Sequence, residues 1–281
     1  MRKRNIALWA LTPVAVALVL SGCGSGSDND LAVDNNAQSC SVVSSSGSAV
    51  VVGSGVAGDP AAPEAASGYR LGYKAKQSSK YMVVANTPLA TKAGCDVLKA
   101  GGTAVDAAVA VQAVLGLVEP QSSTLAGSAF MMYYDANTKK VVAYDGRETA
   151  PAAANGYYLV RQDQGDASSP APVPSARRSG RSIGVPGVMR MLDMAHKEHG
   201  KLGWDKLFDE GIQLATNGYR IPGRMGDAIK GNAASLALDA NAVAAFFNAD
   251  GTPKATGTVT TNLPYAQTLR TLASGGANAM Y

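Results

Sequence analysis

The stretch AVDAAVAVQAVLGLV, Ala104 to Val118, is apolar on every side except at Asp106 and Gln112. Its alanines and leucines favour a helix, Thr103 is placed to cap the first turn, and Pro120 stops the helix. A surface helix carries one apolar stripe, whereas a helix apolar all round has to lie buried between layers of other structure. The rest of the chain must therefore supply apolar faces on two sides. With 281 residues, 46% of them hydrophobic, it has enough material for one large domain or two small ones.

The segments around that helix read as its packing partners. Met82 to Ala85 reads as a short strand, after which Thr87 and Pro88 form an N-cap and first-turn pair. Ala90, Ala93, Val97 and Leu98 keep one face of the following helix apolar, and Gly101-Gly102 ends it. Phe130 to Tyr134 and Lys140 to Tyr144 read as two strands of a hairpin joined by the turn residues Asp135 to Thr138. DGRETAP, residues 145–151, closes the second strand, and a polar, proline-rich loop from Gln162 to Ser179 follows. Val188, Met191, Leu192 and Ala195 mark a helix ending at Gly200. Trp204, Leu207, Phe208, Ile212 and Ala215 mark another, ending near Gly218. A last helix starts at Pro264 and turns Ala266, Leu269, Leu272 and Ala273 inward. Helices flanking a small amount of sheet indicate a layered α/β or α+β domain over residues 80–281.

The N-terminal part is of a different kind. Arg2, Lys3 and Arg4 precede the uncharged run Ile6 to Leu20, which is shorter than the roughly 20 residues of a spanning helix and reads as a signal peptide over residues 1–22. LSGC, Leu20 to Cys23, looks like a bacterial lipobox, making Cys23 the expected lipidation site of an exported, membrane-anchored lipoprotein. Gly24 after it favours the outer membrane, facing the periplasm. Residues 23–79 are rich in Ser, Gly, Ala and Asp and suit a flexible tether. Gly53, Gly55 and Gly58 match a dinucleotide fingerprint, but Pro60 and Pro63 interrupt the helix it requires, and no acidic residue occurs between Glu64 and Asp96. An oxidising compartment permits Cys40 and Cys95 to pair. Their spacing does not demand it, and the expectation for Cys95 is a small buried apolar residue. No basic stripe with interleaved aromatics points to nucleic acid. His196 and His199 stand at i and i+3 without a carboxylate or cysteine constellation, so no metal is assigned. Near a helix C-terminus the macrodipole alone favours them. No cofactor is implied.

Taken in order, NTPLATKAGCDVLKAGGTAVDAAVAVQAVLGLVEPQSS, the hairpin, DGRETAPAAA and RSIGVPGVMRMLDMAHKEHGKLGWDKLF resemble the large-subunit region of the γ-glutamyltransferase (γ-glutamyltranspeptidase, glutathione hydrolase) family. The resemblance runs from about Tyr81 to the end of the chain. It implies part of an N-terminal-nucleophile hydrolase with an αββα core. Such a proenzyme cuts itself in two, and the new N-terminal threonine of the small subunit attacks a γ-glutamyl amide such as glutathione, its own α-amine serving as base. The acyl group then passes to water or to an amino acid or peptide acceptor. The resemblance also implies that Arg147 holds the α-carboxylate of the γ-glutamyl group, with Glu148 as an orienting neighbour.

Two departures qualify this. The family's run of glycines before the first hairpin strand is replaced here by Ser123-Thr124-Leu125-Ala126-Gly127-Ser128-Ala129; if those glycines permit a close backbone approach, Leu125, Ala126, Ser128 and Ala129 crowd that region and alter activity. No threonine stands in the family's autoprocessing signature. Thr258, Thr260 and Thr261 cluster without it. The expectation is therefore the N-terminal portion of a longer proenzyme, inactive by itself and with no catalytic residue of its own. The alternative is a catalytically inactive lipoprotein of the same fold with a binding or structural role.

Overall fold

Thr87 accepts a hydrogen bond from the Ala90 amide, and Pro88 stands in the first turn behind it. The first helix, α1, runs Pro88–Lys99 as these residues dictate. The computed structural model describes Cys40 and residues 78–281. The signal peptide, Cys23, the glycine fingerprint and all of the tether but Cys40, Ser78 and Ser79 lie outside the described residues. Residues 82–85 form no strand. No partner strand meets them among the described residues, and the Ala85 amide bonds to the Thr91 hydroxyl instead, at 3.2 Å.

Helix α2, Ala104–Val118, carries both halves of a capping box: the Asp106 amide donates to the Thr103 hydroxyl, and the Asp106 carboxylate accepts the Thr103 amide. Its all-round apolarity is accounted for by two clusters. Val105, Val109 and Ala113 pack with Leu192, Phe208 and Leu269 on one side. Ala110, Val114 and Leu117 pack with Ala90, Ile221 and Met225 on the other. Where Gly116 leaves space, the Tyr265 hydroxyl reaches the Ala113 carbonyl at 2.8 Å.

Strands β1, Ala129–Asp135, and β2, Lys140–Gly146, pair antiparallel from Ala129 opposite Gly146 to Asp135 opposite Lys140. The turn is organised by Asp135, whose carboxylate accepts from the Asn137 amide and the Thr138 hydroxyl, while Lys139 takes a positive φ of 55°. Side chains alternate. Tyr144 and Gly146 are buried on the side where Met191 packs, whereas Phe130, Met132, Tyr134 and Val141 are left exposed on the other.

Helix α3, Val188–His199, follows a long loop. The Arg181 guanidinium fastens that loop by donating to the carbonyls of Tyr158, Arg161 and Gln162. The helix read from Trp204 onward is two pieces, a 3₁₀ turn over Trp204–Phe208 and then α4, Asp209–Asn217. The 3₁₀ turn lets Trp204 Nε1 reach the Leu272 carbonyl. Beyond them come a short ribbon of β3, Tyr219–Arg220, and β4, Val259–Thr260, with helices α5, Gly223–Gly231, α6, Ala233–Leu236, and α7, Ala240–Phe246, between. Helix α8, Leu263–Gly275, closes the core with Ala266, Leu269 and Leu272 inward as read.

The expectation for the cysteines is corrected. Cys95 is bonded to Cys40, with Cα atoms 5.6 Å apart and a sequence separation of 55. The small-buried-residue reading weighed α1 alone, whereas the Cys95 side chain sits only half-buried on that helix, within reach of the preceding segment. In the chain-entropy account, closing a loop of this length stabilises the folded state by about 4 kcal/mol.

Asp106 does more than cap. With no solvent exposure, its carboxylate also accepts the amides of Lys201 and Leu202, at 3.0 and 3.3 Å, and lies 3.3 Å from His196 Nε2. Asp106→Ala leaves the amides of Thr103, Lys201 and Leu202 without an acceptor. At about 0.5–1.5 kcal/mol for each of these part-buried bonds, it is expected to destabilise the fold by about 2–4 kcal/mol in a denaturant titration.

Candidate functional site

The end of β2 is held against the start of α3 by two glycines that allow a backbone approach no side chain tolerates. A Cβ on Gly146 would come 2.7 Å from Met191 Cβ, and one on Gly187 would come 2.7 Å from the Gly146 carbonyl carbon and 2.8 Å from the Arg147 oxygen. The amides of Gly187 and Val188 both donate to the Gly127 carbonyl, at 3.0 and 3.2 Å. Thr149 and Val185 exchange backbone bonds. Arg147 thus projects from backbone fixed on both sides, at the rim of a cleft of about 220 Å³ whose walls include Thr149, Val185, Pro186, Arg190 and Met191.

Its guanidinium is half-exposed and already oriented. Nη2 donates to Glu148 Oε1 at 2.9 Å, Nη1 to the Ser128 hydroxyl at 3.3 Å, and the Arg147 amide to Asp145 Oδ1 at 2.9 Å. An exposed pair such as Arg147 with Glu148 is weak, so an incoming carboxylate competes for the guanidinium on near-equal terms. The Glu148 carboxyl is held below the usual carboxylate range, first by the Ser128 hydroxyl, with a backbone amide and the Arg147 charge adding to it. At neutral pH it is therefore an anion that orients Arg147, not a proton donor.

The segment before β1 divides between core and site. Leu125 is buried in the core, Gly127 supplies the carbonyl that caps the turn into α3, and Ser128 turns its hydroxyl to Arg147. Of the residues that replace the family's glycines, the one large side chain, Leu125, points inward. His196 and His199 are engaged structurally, His196 Nε2 with the Leu202 carbonyl at 3.0 Å and His199 stacked on Tyr133 at 3.9 Å between ring centres. Thr260 accepts a hydrogen bond from Lys254 in the β3–β4 ribbon. A second cleft, about 400 Å³, includes His196, Lys197, Trp204 and Asp205 in its walls, but its charged groups are committed to one another: Lys197 pairs with Asp193 and Asp205 with Lys206.

Sequence reasoning found Arg147 and Glu148 but missed Ser128 as a partner and Arg190 as a second cation of the same cleft. The signal for Ser128 was its place opposite the strand end in the hairpin register. Arg190 carried no signal, since a lone arginine at the start of a helix is ordinary.

The chain matches the model of the gamma-glutamyltranspeptidase family over residues 90–281, which includes every residue of this cleft. The chain belongs to the gamma-glutamyltranspeptidase family. It is 35% identical over 202 residues to the glutathione hydrolase proenzyme of Bacillus subtilis (strain 168), a match covering 71% of this chain and 33% of that protein. It is 34% identical over 206 residues to glutathione hydrolase 3 of Arabidopsis thaliana, covering 73% and 30%. The chain thus spans about a third of the length of these curated relatives. Among solved structures, the Helicobacter pylori gamma-glutamyltranspeptidase superposes with a TM-score of 0.68 at 27% identity, covering 74% of this chain and 58% of that one. The described residues are accordingly a mixed helix-and-strand part of the N-terminal-nucleophile hydrolase fold that gamma-glutamyltranspeptidases share.

Alanine at Gly187 is expected to push the strand end away from α3. Overpacking of this kind typically costs about 1–3 kcal/mol, which a lowered denaturation midpoint at unchanged slope would report.

Proposed function

We propose that this chain is the large-subunit portion of an exported γ-glutamyltransferase or glutathione hydrolase proenzyme, in which Arg147 binds the α-carboxylate of the γ-glutamyl group. The observation that carries the reading is the placement of an oriented, half-exposed guanidinium at the mouth of a cleft, in a chain of this family. A planar guanidinium offers paired donors that fit a carboxylate's two oxygens, and its backbone is fixed by the glycine contacts on either side. The reacting half of the site comes from the small subunit of the same precursor, whose N-terminal threonine attacks the γ-glutamyl carbonyl and forms the acyl-enzyme. Water, or an amino acid or peptide acceptor, then takes the acyl group. In this division of labour Arg147 positions the donor and does no chemistry.

Removal of the Arg147 side chain takes away charge-assisted hydrogen bonds worth about 1.5–3 kcal/mol. In the matured protein, Arg147→Ala is expected to raise KM for a γ-glutamyl donor about 10- to 100-fold while self-cleavage proceeds normally, since the scissile peptide does not use this contact. An unchanged KM sinks the assignment and leaves the non-catalytic lipoprotein of the same fold as the reading to pursue.

We further propose that Cys23, in LSGC behind a short apolar run, is acylated and holds the protein at the outer membrane, facing the periplasm. Cys23→Ser is expected to move it from the membrane to the soluble fraction on cell fractionation. Retention in the membrane fraction would count against acylation there.

A further inference from the structure

We infer that Ser128 is a positioning residue of the donor site: its hydroxyl fixes the Arg147 guanidinium and keeps Glu148 paired with it, so that the donor's α-carboxylate meets an arginine already in place. The inference rests on the γ-glutamyl reading above. Ser128 lies in the segment that departs from the family's run of glycines, so its hydroxyl is an addition to the site that the resemblance does not supply.

The serine is placed by backbone on both sides. Before it, the Gly127 carbonyl accepts the Gly187 and Val188 amides at the start of α3; after it, Ala129 pairs with Gly146 at the first rung of the hairpin. Continuing that register by one residue sets Ser128 opposite Arg147. A serine has a single heavy-atom torsion, so a fixed backbone leaves its hydroxyl few places to stand. The oxygen accepts from Arg147 Nη1 at 3.3 Å, while Nη2 donates to Glu148 Oε1 at 2.9 Å. Partners from two segments thus hold the guanidinium. Its other N–H donors make no hydrogen bond among the described residues and are left for a carboxylate.

Glu148 is confined as well. Gly184 packs against it so closely that a Cβ there would lie 2.7 Å from Glu148 Cγ, and the Ser128 hydroxyl is the first cause holding its carboxyl below the usual range. The Arg147–Glu148 pair alone is exposed and contributes little order. The serine supplies the further contact that makes the pair a unit. Ordering a long side chain before the ligand arrives removes a cost that binding would otherwise carry, so Ser128 acts on donor affinity through Arg147 and not on the acyl chemistry. The titratable and charged groups bordering the cleft beside Glu148 are Asp145, Arg147, Arg190 and Tyr281, and of these Arg147 is the one whose charge acts on it. The orienting charge of Glu148 is present above its pKa and is lost as pH falls through it. Because the hydroxyl lowers that pKa, removing the hydroxyl moves the loss to higher pH, towards the ordinary value of 4.5.

The test uses the matured protein and a γ-glutamyl anilide. Ser128→Ala is expected to raise KM about three- to tenfold at neutral pH with kcat unchanged, and to shift the acid rise of KM to higher pH. The donor's own carboxylate titrates alike with both proteins, so the shift between them reports Glu148. Ser128→Thr keeps the hydroxyl and should restore both readouts. A serine needed only for packing or maturation would move neither the pH profile nor KM separately from kcat. An unchanged KM, a lowered KM, a kcat that falls in step or superimposable pH profiles overturns the inference. Should the alanine variant fail to mature, Ser128→Gly removes the same hydroxyl and is read in the same way. Arg147→Ala separates the two levels. If it raises KM and Ser128→Ala does not, only the role of Ser128 falls. If Arg147→Ala leaves KM unchanged, the γ-glutamyl reading falls and takes the role of Ser128 with it.

Discussion

A single carboxylate without solvent exposure ties the central helix to the turn that follows α3. Asp106 closes the capping box of α2 and accepts the amides of the turn that follows α3, so the central helix and the helix behind the hairpin share an endpoint. Buried polar groups are tolerated only when bonded, and here one side chain satisfies three amides that would otherwise be orphaned. Because α2 is apolar except at Asp106 and Gln112, few groups along its length fix its rotation by polarity. The Asp106 contacts, and the Tyr265 hydroxyl on the Ala113 carbonyl, supply that registration.

The cleft inherits its geometry from this arrangement. Helix α3 is fixed at one end through the turn bonded to Asp106 and at the other by the Gly127 carbonyl and the approach of Gly187 to Gly146. Arg147 is therefore presented by backbone with little freedom to move, while its side chain remains half-exposed and only weakly paired. A rigid base under a lightly held side chain suits recognition. The guanidinium can exchange Glu148 for another carboxylate without rearranging the strand that carries it.

Much of this was legible from local chemistry. The Thr87-Pro88 and Thr103 caps, the stop at Pro120, the Asp135 turn and the apolar faces of α3 and α8 follow from rules that act within a few residues, and the structure follows them. What was not legible depends on contacts distant in sequence. Residues 82–85 have the composition of a strand but meet no partner strand among the described residues. Cys40 meets Cys95 at a sequence separation of 55. The segment from Trp204 divides into a 3₁₀ turn and a helix, and Trp204 bonds to the Leu272 carbonyl 68 residues away. At the site, Arg147 was found through the DGRETAP resemblance. Its partner Ser128 lies 19 residues earlier and was brought to it by the hairpin register.

The outer face of that hairpin has a cellular consequence. Phe130, Met132, Tyr134 and Val141 stand exposed together on a two-stranded ribbon, a surface that invites aggregation unless something covers it. A cover encoded separately would have to arrive in matched amounts and on time. Synthesis of cover and ribbon in one polypeptide, cut only after folding, would deliver them at equal copy number and at high effective concentration. On the proenzyme reading proposed above, folding before cleavage would matter as much to the solubility of this face as to activity.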